Sequence, residues 1–158
     1  IIIASGTTVL AFARCIPPEA QLTVLTSAMN VAMALLNCQQ VEVIQLGGIV
    51  RHTSSSVTGE YALRMLENFS GTKLFLGVDG IDLKYGLTTT NFMEASVNRA
   101  MIDAAQKIIV LTDSSKFGRR GFGKICELDA VDQIITDSGV SPKVVRELEE
   151  LGIKVSIV

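Results

Sequence analysis

Cysteine, histidine and charge are all scarce in this chain of 158 residues. Its three cysteines, Cys15, Cys38 and Cys126, are widely spaced and odd in number, with no C-x-x-C pair and no histidine beside them. That pattern excludes a disulfide framework and a zinc site; the thiols read as reduced and buried, in a cytoplasmic protein. Charged residues make up 19% of the chain and the net charge is -2, so there is no general cationic field to hold DNA or an anionic membrane. Long apolar runs are missing as well. The stretch Ala28 to Leu36, broken by Asn30, is too short to span a bilayer, and no charged leader precedes the opening isoleucines. No internal repeat or low-complexity tract is present. The single histidine, His52, lies in a serine-rich stretch and reads as a surface residue rather than a general base.

What remains is a chain with 48% hydrophobic residues, enough for one compact domain with a real core. It opens inside an apolar strand, as a piece cut from a longer protein would, so a further domain upstream is expected. Strand-like runs alternate with helix-like segments, which predicts an α/β fold: a mainly parallel open sheet with helices on both faces. The expected strands are Ile1 to Ala4, Leu22 to Thr26, Val41 to Leu46, Lys73 to Val78, Lys107 to Thr112, Gln133 to Thr136 and Lys154 to Ile157. Expected helices run from Thr8 to Arg14, Ala28 to Leu36 with Ser27 as cap, Glu60 to Asn68, Glu94 to Ala105 with an Arg99 and Asp103 pair, and Pro142 to Leu151 with Ser141 as cap. Gly47 to Ser56 and Gly80 to Asn91 break the rhythm and read as long polar loops.

Between the first strand and the first helix stands Ser5-Gly6-Thr7-Thr8. A helix start leaves backbone N–H groups unpaired at the positive end of the peptide dipole, a glycine lets the main chain approach a ligand, and hydroxyls add donors. The obvious guest is a phosphate, although ordinary helix capping explains the same residues. Other polar groups also follow strands: Thr26 and Ser27 the second, Gly47, Gly48 and Arg51 the third, Asp79, Gly80 and Asp82 the fourth, Asp113 to Lys116 the fifth. In a parallel sheet these ends share one edge. Hydroxyls, glycines, Arg51 and Lys116 suit a phosphate, while Asp79, Asp82 and Glu94 suit sugar hydroxyls or proton transfer. The basic group Lys116, Arg119, Arg120 and Lys124, interleaved with glycines, reads as a mobile solvated loop rather than a nucleic-acid patch.

The ordered set Ser5-Gly6-Thr7-Thr8, Leu25 to Ala32, Leu46-Gly47-Gly48, Leu76 to Asp82, Gly86-Leu87-Thr88-Thr89, Glu94 and Leu111 to Phe117 resembles the C-terminal effector domain of DeoR-family bacterial transcription regulators, over practically the whole chain. The resemblance implies a fold shared with ribose-5-phosphate isomerase, glucosamine-6-phosphate deaminase and CoA transferases. It also implies an upstream winged helix-turn-helix that binds operator DNA, a dimer or tetramer, and a phosphorylated sugar as effector. Ser5, Gly6, Thr7, Thr8 and Lys116 match phosphate-side or charged positions, and Asp79, Asp82 and Glu94 match carboxylates of the isomerase site. Two positions depart from the pattern. Ala4 stands where the family usually has an acidic residue, and Gly86 to Thr90 replaces the glycine-rich, lysine-bearing loop that isomerases place before the catalytic glutamate. An enediol mechanism needs a base and oxyanion donors together. The expected function is therefore ligand sensing by a repressor of sugar catabolism, with no catalysis and no cofactor; the alternative is a sugar-phosphate isomerase or deaminase using Glu94 or Asp79 as base.

Overall fold

The computed structural model describes residues 1–158. Its centre is a seven-stranded, all-parallel sheet. Seven strands build it: β1 (Ile2–Ile3), β2 (Leu22–Thr26), β3 (Val41–Gln45), β6 (Leu74–Leu76), β9 (Ile108–Leu111), β11 (Gln133–Thr136) and β12 (Lys154–Ile157). They are arranged in the order β12-β11-β9-β6-β1-β2-β3. From β1 the chain steps outward to β2 and β3, then returns to place β6 on the other side of β1 and continues to β12. The order therefore reverses between β1 and β6, which makes their carboxyl ends a topological switch point.

Strand alternation sorts the core into two layers. Ile2, Leu25, Ile108 and Val110 pack on one side with α3 (Glu60–Leu66), α4 (Phe92–Asp103) and α5 (Pro142–Glu150), through Leu66, Met101 and Leu148. Ile3, Val24, Ile109 and Leu111 point to the other side, against Val9 and Ala13 of α1 (Thr7–Arg14) and Val31 and Leu35 of α2 (Met29–Leu35). Both faces of every central strand are thus buried, and a continuous apolar run such as Ile108 to Leu111 is what such a strand requires. Truncating one of the buried leucines or isoleucines to alanine removes on the order of 2–5 kcal/mol. No helix is long and apolar enough to cross a membrane.

The two polar stretches expected to be loops are instead hairpins. In one, β4 (Ile49–Arg51) pairs with β5 (Ser56–Thr58). In the other, β7 (Gly80–Asp82) pairs with β8 (Gly86–Thr89), and β10 (Gly123–Cys126) completes a small antiparallel sheet. Gly86 makes the second turn possible: its φ is +97°, and a Cβ there would stand 2.1 Å from the Cys126 carbonyl oxygen. The glycine-rich basic stretch is not a loose solvated loop. The Arg120 guanidinium donates to both oxygens of Asp82, at 2.8 and 3.1 Å, and the Tyr85 ring lies between Arg120 and Lys124.

Four smaller expectations are corrected. Ala28 stands at the start of α2, so Ser27 does not cap it, because the backbone of Ser27 is occupied by the first hairpin. Helix α4 starts at Phe92, since the Asn91 side chain accepts from the N–H groups of Met93 and Glu94. Arg99 does not pair with Asp103; it donates to the carbonyls of Ile125 and Lys124 at 2.9 and 2.7 Å. Of the three thiols, Cys38 is buried and Cys126 half-buried, but Cys15 is exposed at the end of α1.

Candidate functional site

At the switch point the chain leaves β1 for α1 on one face of the sheet and β6 for the elements leading to α4 on the other, and a cleft of about 430 Å³ lies there, with 19 lining residues of which 2 are hydrophobic. So polar a lining suits a hydroxyl-rich or charged guest rather than an apolar one. The floor is Ser5 to Thr8 after β1 and Gly77 to Asp79 after β6, with Leu111 to Asp113 and Lys116 beyond β9. Gly77 allows the two central segments to touch. A Cβ on it would lie 2.8 Å from the Ser5 carbonyl oxygen and 3.0 Å from Val9 Cγ2.

The start of α1 is not spent on capping. Gly6 holds the cap position at φ 137°, and no side chain bonds to the first turn. Leu10 is the first residue whose N–H reaches a helical acceptor, the Gly6 carbonyl at 2.9 Å. The earlier N–H groups and the exposed Thr7 and Thr8 face the cleft, where unpaired donors and the helix dipole favour an anion. Lys116 comes to the same cleft on a 3₁₀ turn, Ser114–Lys116. That turn is fixed at both ends: Asp113 accepts the Ser115 N–H at 2.9 Å, and Asp137 accepts the Ser114 N–H at 2.7 Å. The Ser115 side chain, helped by its N–H, holds the Asp113 carboxyl below the usual aspartate range, and the Ser114 N–H does the same for Asp137. The Lys116 ammonium itself has no ion-pair partner in the chain.

Two carboxylates are part of this lining. Asp79 accepts the Thr89 hydroxyl and the Thr90 N–H on Oδ2, at 2.8 and 2.9 Å, leaving Oδ1 without a protein donor. Glu94, buried in the first turn of α4, takes Ser56 Oγ at 3.3 Å and Arg51 Nε at 3.4 Å on Oε1, leaving Oε2 without one. Each side chain is therefore anchored by one oxygen and has a second free to accept from a guest.

Of the residues singled out from sequence, Ser5, Gly6, Thr7, Thr8, Asp79, Glu94, Asp113 and Lys116 line this cleft together. The others do not. Thr26 and Ser27 are buried beneath the β4–β5 hairpin: the Thr26 hydroxyl accepts the Ala28 N–H at 3.0 Å and the Ser27 carbonyl accepts the Val57 N–H at 2.9 Å. Gly47 and Gly48 are exposed outside the cleft, where Gly48 packs against the Thr58 carbonyl. Gly80 is buried below the Arg119 backbone. Arg51 stands on Glu94, and Asp82 is taken by Arg120.

The lining also includes Asn30, Thr53 to Ser55, Thr90 and Asn98. Asn98 had a signal in the sequence, since it follows Glu94 by one helical turn and must share its face. The serine run had a coarse one, as a long polar loop of the kind open α/β sheets place beside ligands, but it is the hairpin that brings Thr53 to Ser55 to the cleft.

Residues 1–138 match the family described as the DeoR C terminal sensor domain. This chain belongs to that family. A putative aga operon transcriptional repressor of Escherichia coli O157:H7 is 41% identical over all of this chain and 59% of its own length. An uncharacterized HTH-type transcriptional regulator, YulB, of Bacillus subtilis strain 168 is 37% identical over all of this chain and 61% of its own length. The glycerol-3-phosphate regulon repressor of Escherichia coli K12 is 28% identical over 96% of the chain and 60% of its own length. The chain thus spans about three fifths of the length of these relatives. Among solved structures, ribose 5 phosphate isomerase A from Neisseria gonorrhoeae covers 73% of this chain and 44% of its own, with 13% identity and a TM-score of 0.49. Membership in the DeoR sensor family is a statement about sensing, and the relatives it brings are named as regulators and repressors, not as enzymes.

Proposed function

We propose that this DeoR sensor domain binds a phosphorylated sugar in the switch-point cleft, and that binding alters the grip of a bacterial repressor on operator DNA through a DNA-binding domain elsewhere in the protein. The observation that carries the reading is the make-up of the cleft lining. The uncapped start of α1 and the unpaired Lys116 line it together with Asp79 and Glu94, each with an oxygen free. Phosphate oxygens accept and sugar hydroxyls donate, so a phosphosugar complements both kinds of group at once. The relatives that regulate the aga operon and the glycerol-3-phosphate regulon support an effector of this chemical class.

The mechanism is linkage. A ligand that favours the DNA-releasing arrangement about 100-fold supplies about 2.7 kcal/mol of bias. As an isomerase, the site would need oxyanion donors beside Glu94 or Asp79, whereas Gly86 to Thr90 stands where isomerases carry their glycine-rich, lysine-bearing loop.

A thermal-shift screen tests the reading, with ribose 5-phosphate, glucosamine 6-phosphate and glycerol 3-phosphate set against their unphosphorylated counterparts. At 100 times the Kd, a binding phosphosugar raises Tm by about 5–10 °C for a domain of this size. Stabilisation by the free sugars to the same extent, or by no phosphosugar at millimolar concentration, contradicts it.

A further inference from the structure

Arg51 is left unfinished. Its Nε is shut away from solvent with no hydrogen-bond acceptor, although Glu94 Oε1 is 3.4 Å away. The separation is that of an ion pair, but hydrogen-bond geometry is not met, and a buried donor in that condition is costly. A small inward shift of the strand carrying Arg51 would remove the cost.

That strand belongs to a piece able to shift. The β4–β5 hairpin is bracketed by Gly48 at φ +154° and Gly59 at φ +97°, both in the region that glycine adopts without strain. Two backbone bonds join it to the segment leading into α2, Met29 N–H to the Ser55 carbonyl at 2.8 Å and Val57 N–H to the Ser27 carbonyl at 2.9 Å, while β5 itself is buried, with Val57 in the core and Ser56 on Glu94, so that β4 and the turn are the part free to move. Nothing packs over its outer strand, where Ile49 is 63% and Val50 45% exposed. Its turn, Thr53 to Ser55, forms one wall of the cleft, and Ser55 is the only non-glycine residue with a positive φ, 49°. A non-glycine residue held there carries backbone strain of the kind found at clamps and switches.

We propose that β4 and the serine turn of the β4–β5 hairpin form a lid on the cleft and that Arg51 with Glu94 is its clasp, half closed in this structure and completed when a guest bonds to the serine turn. The closing step rests on the cleft being a binding site; the clasp itself does not. Arg51 is then a positioning residue, which fixes both the lid and the carboxylate beneath it.

Hydrogen exchange followed by NMR separates the two. In the ligand-free chain, Arg51→Met and Glu94→Gln should each speed exchange of the Met29 and Val57 amides by about tenfold, while Ala4 and Leu25 in the sheet keep wild-type rates. Unchanged rates at Met29 and Val57, or equal acceleration in the sheet, overturn the clasp. With ribose 5-phosphate or glycerol 3-phosphate added, whichever binds should slow Val57 exchange in the wild type and not in Arg51→Met; equal slowing in both overturns the proposal. If the variants release the hairpin but neither phosphate ester slows it in the wild type, the clasp stands and lid closure on a phosphosugar is overturned.

Discussion

At the level of single residues, reactivity follows position. The Cys126 thiol is pushed up to about 12 by burial, with Asp129 adding to the effect, so it stays protonated at neutral pH and reacts slowly. Cys38 is enclosed by the core between α2 and the sheet, whereas Cys15 is exposed. Native protein treated with a maleimide should therefore take one label, at Cys15, and take three only after unfolding; mass spectrometry of digested protein reads this directly. Rapid native labelling of Cys126 would show that the sheet of β7, β8 and β10 opens far more readily than its packing implies. The same scale explains which site residues could be recognised from sequence. Ser5 to Thr8, Asp79 and Lys116 each follow a sheet strand directly, so strand assignment alone places them on the common edge. Arg51 and Ser54 are placed by a hairpin whose register no local pattern announces, and Thr26 looks like its neighbours on that edge until the hairpin covers it.

Among the elements, the seven sheet strands were legible because the central ones are apolar runs buried on both faces and the edge strands β3 and β12 keep alternating apolar positions, and β2, β11 and β12 have the bounds expected of them. The hairpins were not, because Gly47 to Ser56 and Gly80 to Asn91 are rich in glycine, serine and threonine and lack an apolar stripe. Their stability comes from tertiary partners such as Arg120 on Asp82 and Gly121 N–H on Thr88 Oγ1. The second hairpin should consequently be sensitive to acid. Arg120, followed by the N–H groups of Lys84 and Tyr85, holds the Asp82 carboxyl well below the ordinary aspartate range. A carboxyl depressed in the folded state contributes fully above its unfolded pKa of about 3.9 and loses that contribution as pH falls toward the folded value. The stability gap between wild type and Asp82→Asn in urea titrations should thus be constant from pH 7 to about 5 and shrink below pH 4. A gap that persists unchanged to pH 2.5 would mean that the carboxylate charge is not what Arg120 reads.

For the molecule as a whole, the decisive feature is where the sheet reverses. β1 and β6 lie side by side but lead to helices on opposite faces, α1 begins there without a side-chain cap, and the segment after β9 brings Lys116 to the same opening. A chain whose strand order did not reverse at β1 would close this gap with packed side chains. The most direct test is an amide NMR titration with the phosphosugar of largest thermal shift and with its free sugar. The account predicts that the phosphosugar moves the Gly6, Thr7, Thr8 and Lys116 resonances together with one affinity, that the free sugar leaves them in place, and that Lys116→Ala weakens the response about tenfold or more. Phosphosugar-induced shifts gathered at Arg119 and Arg120, with Gly6 to Thr8 unmoved, would contradict it.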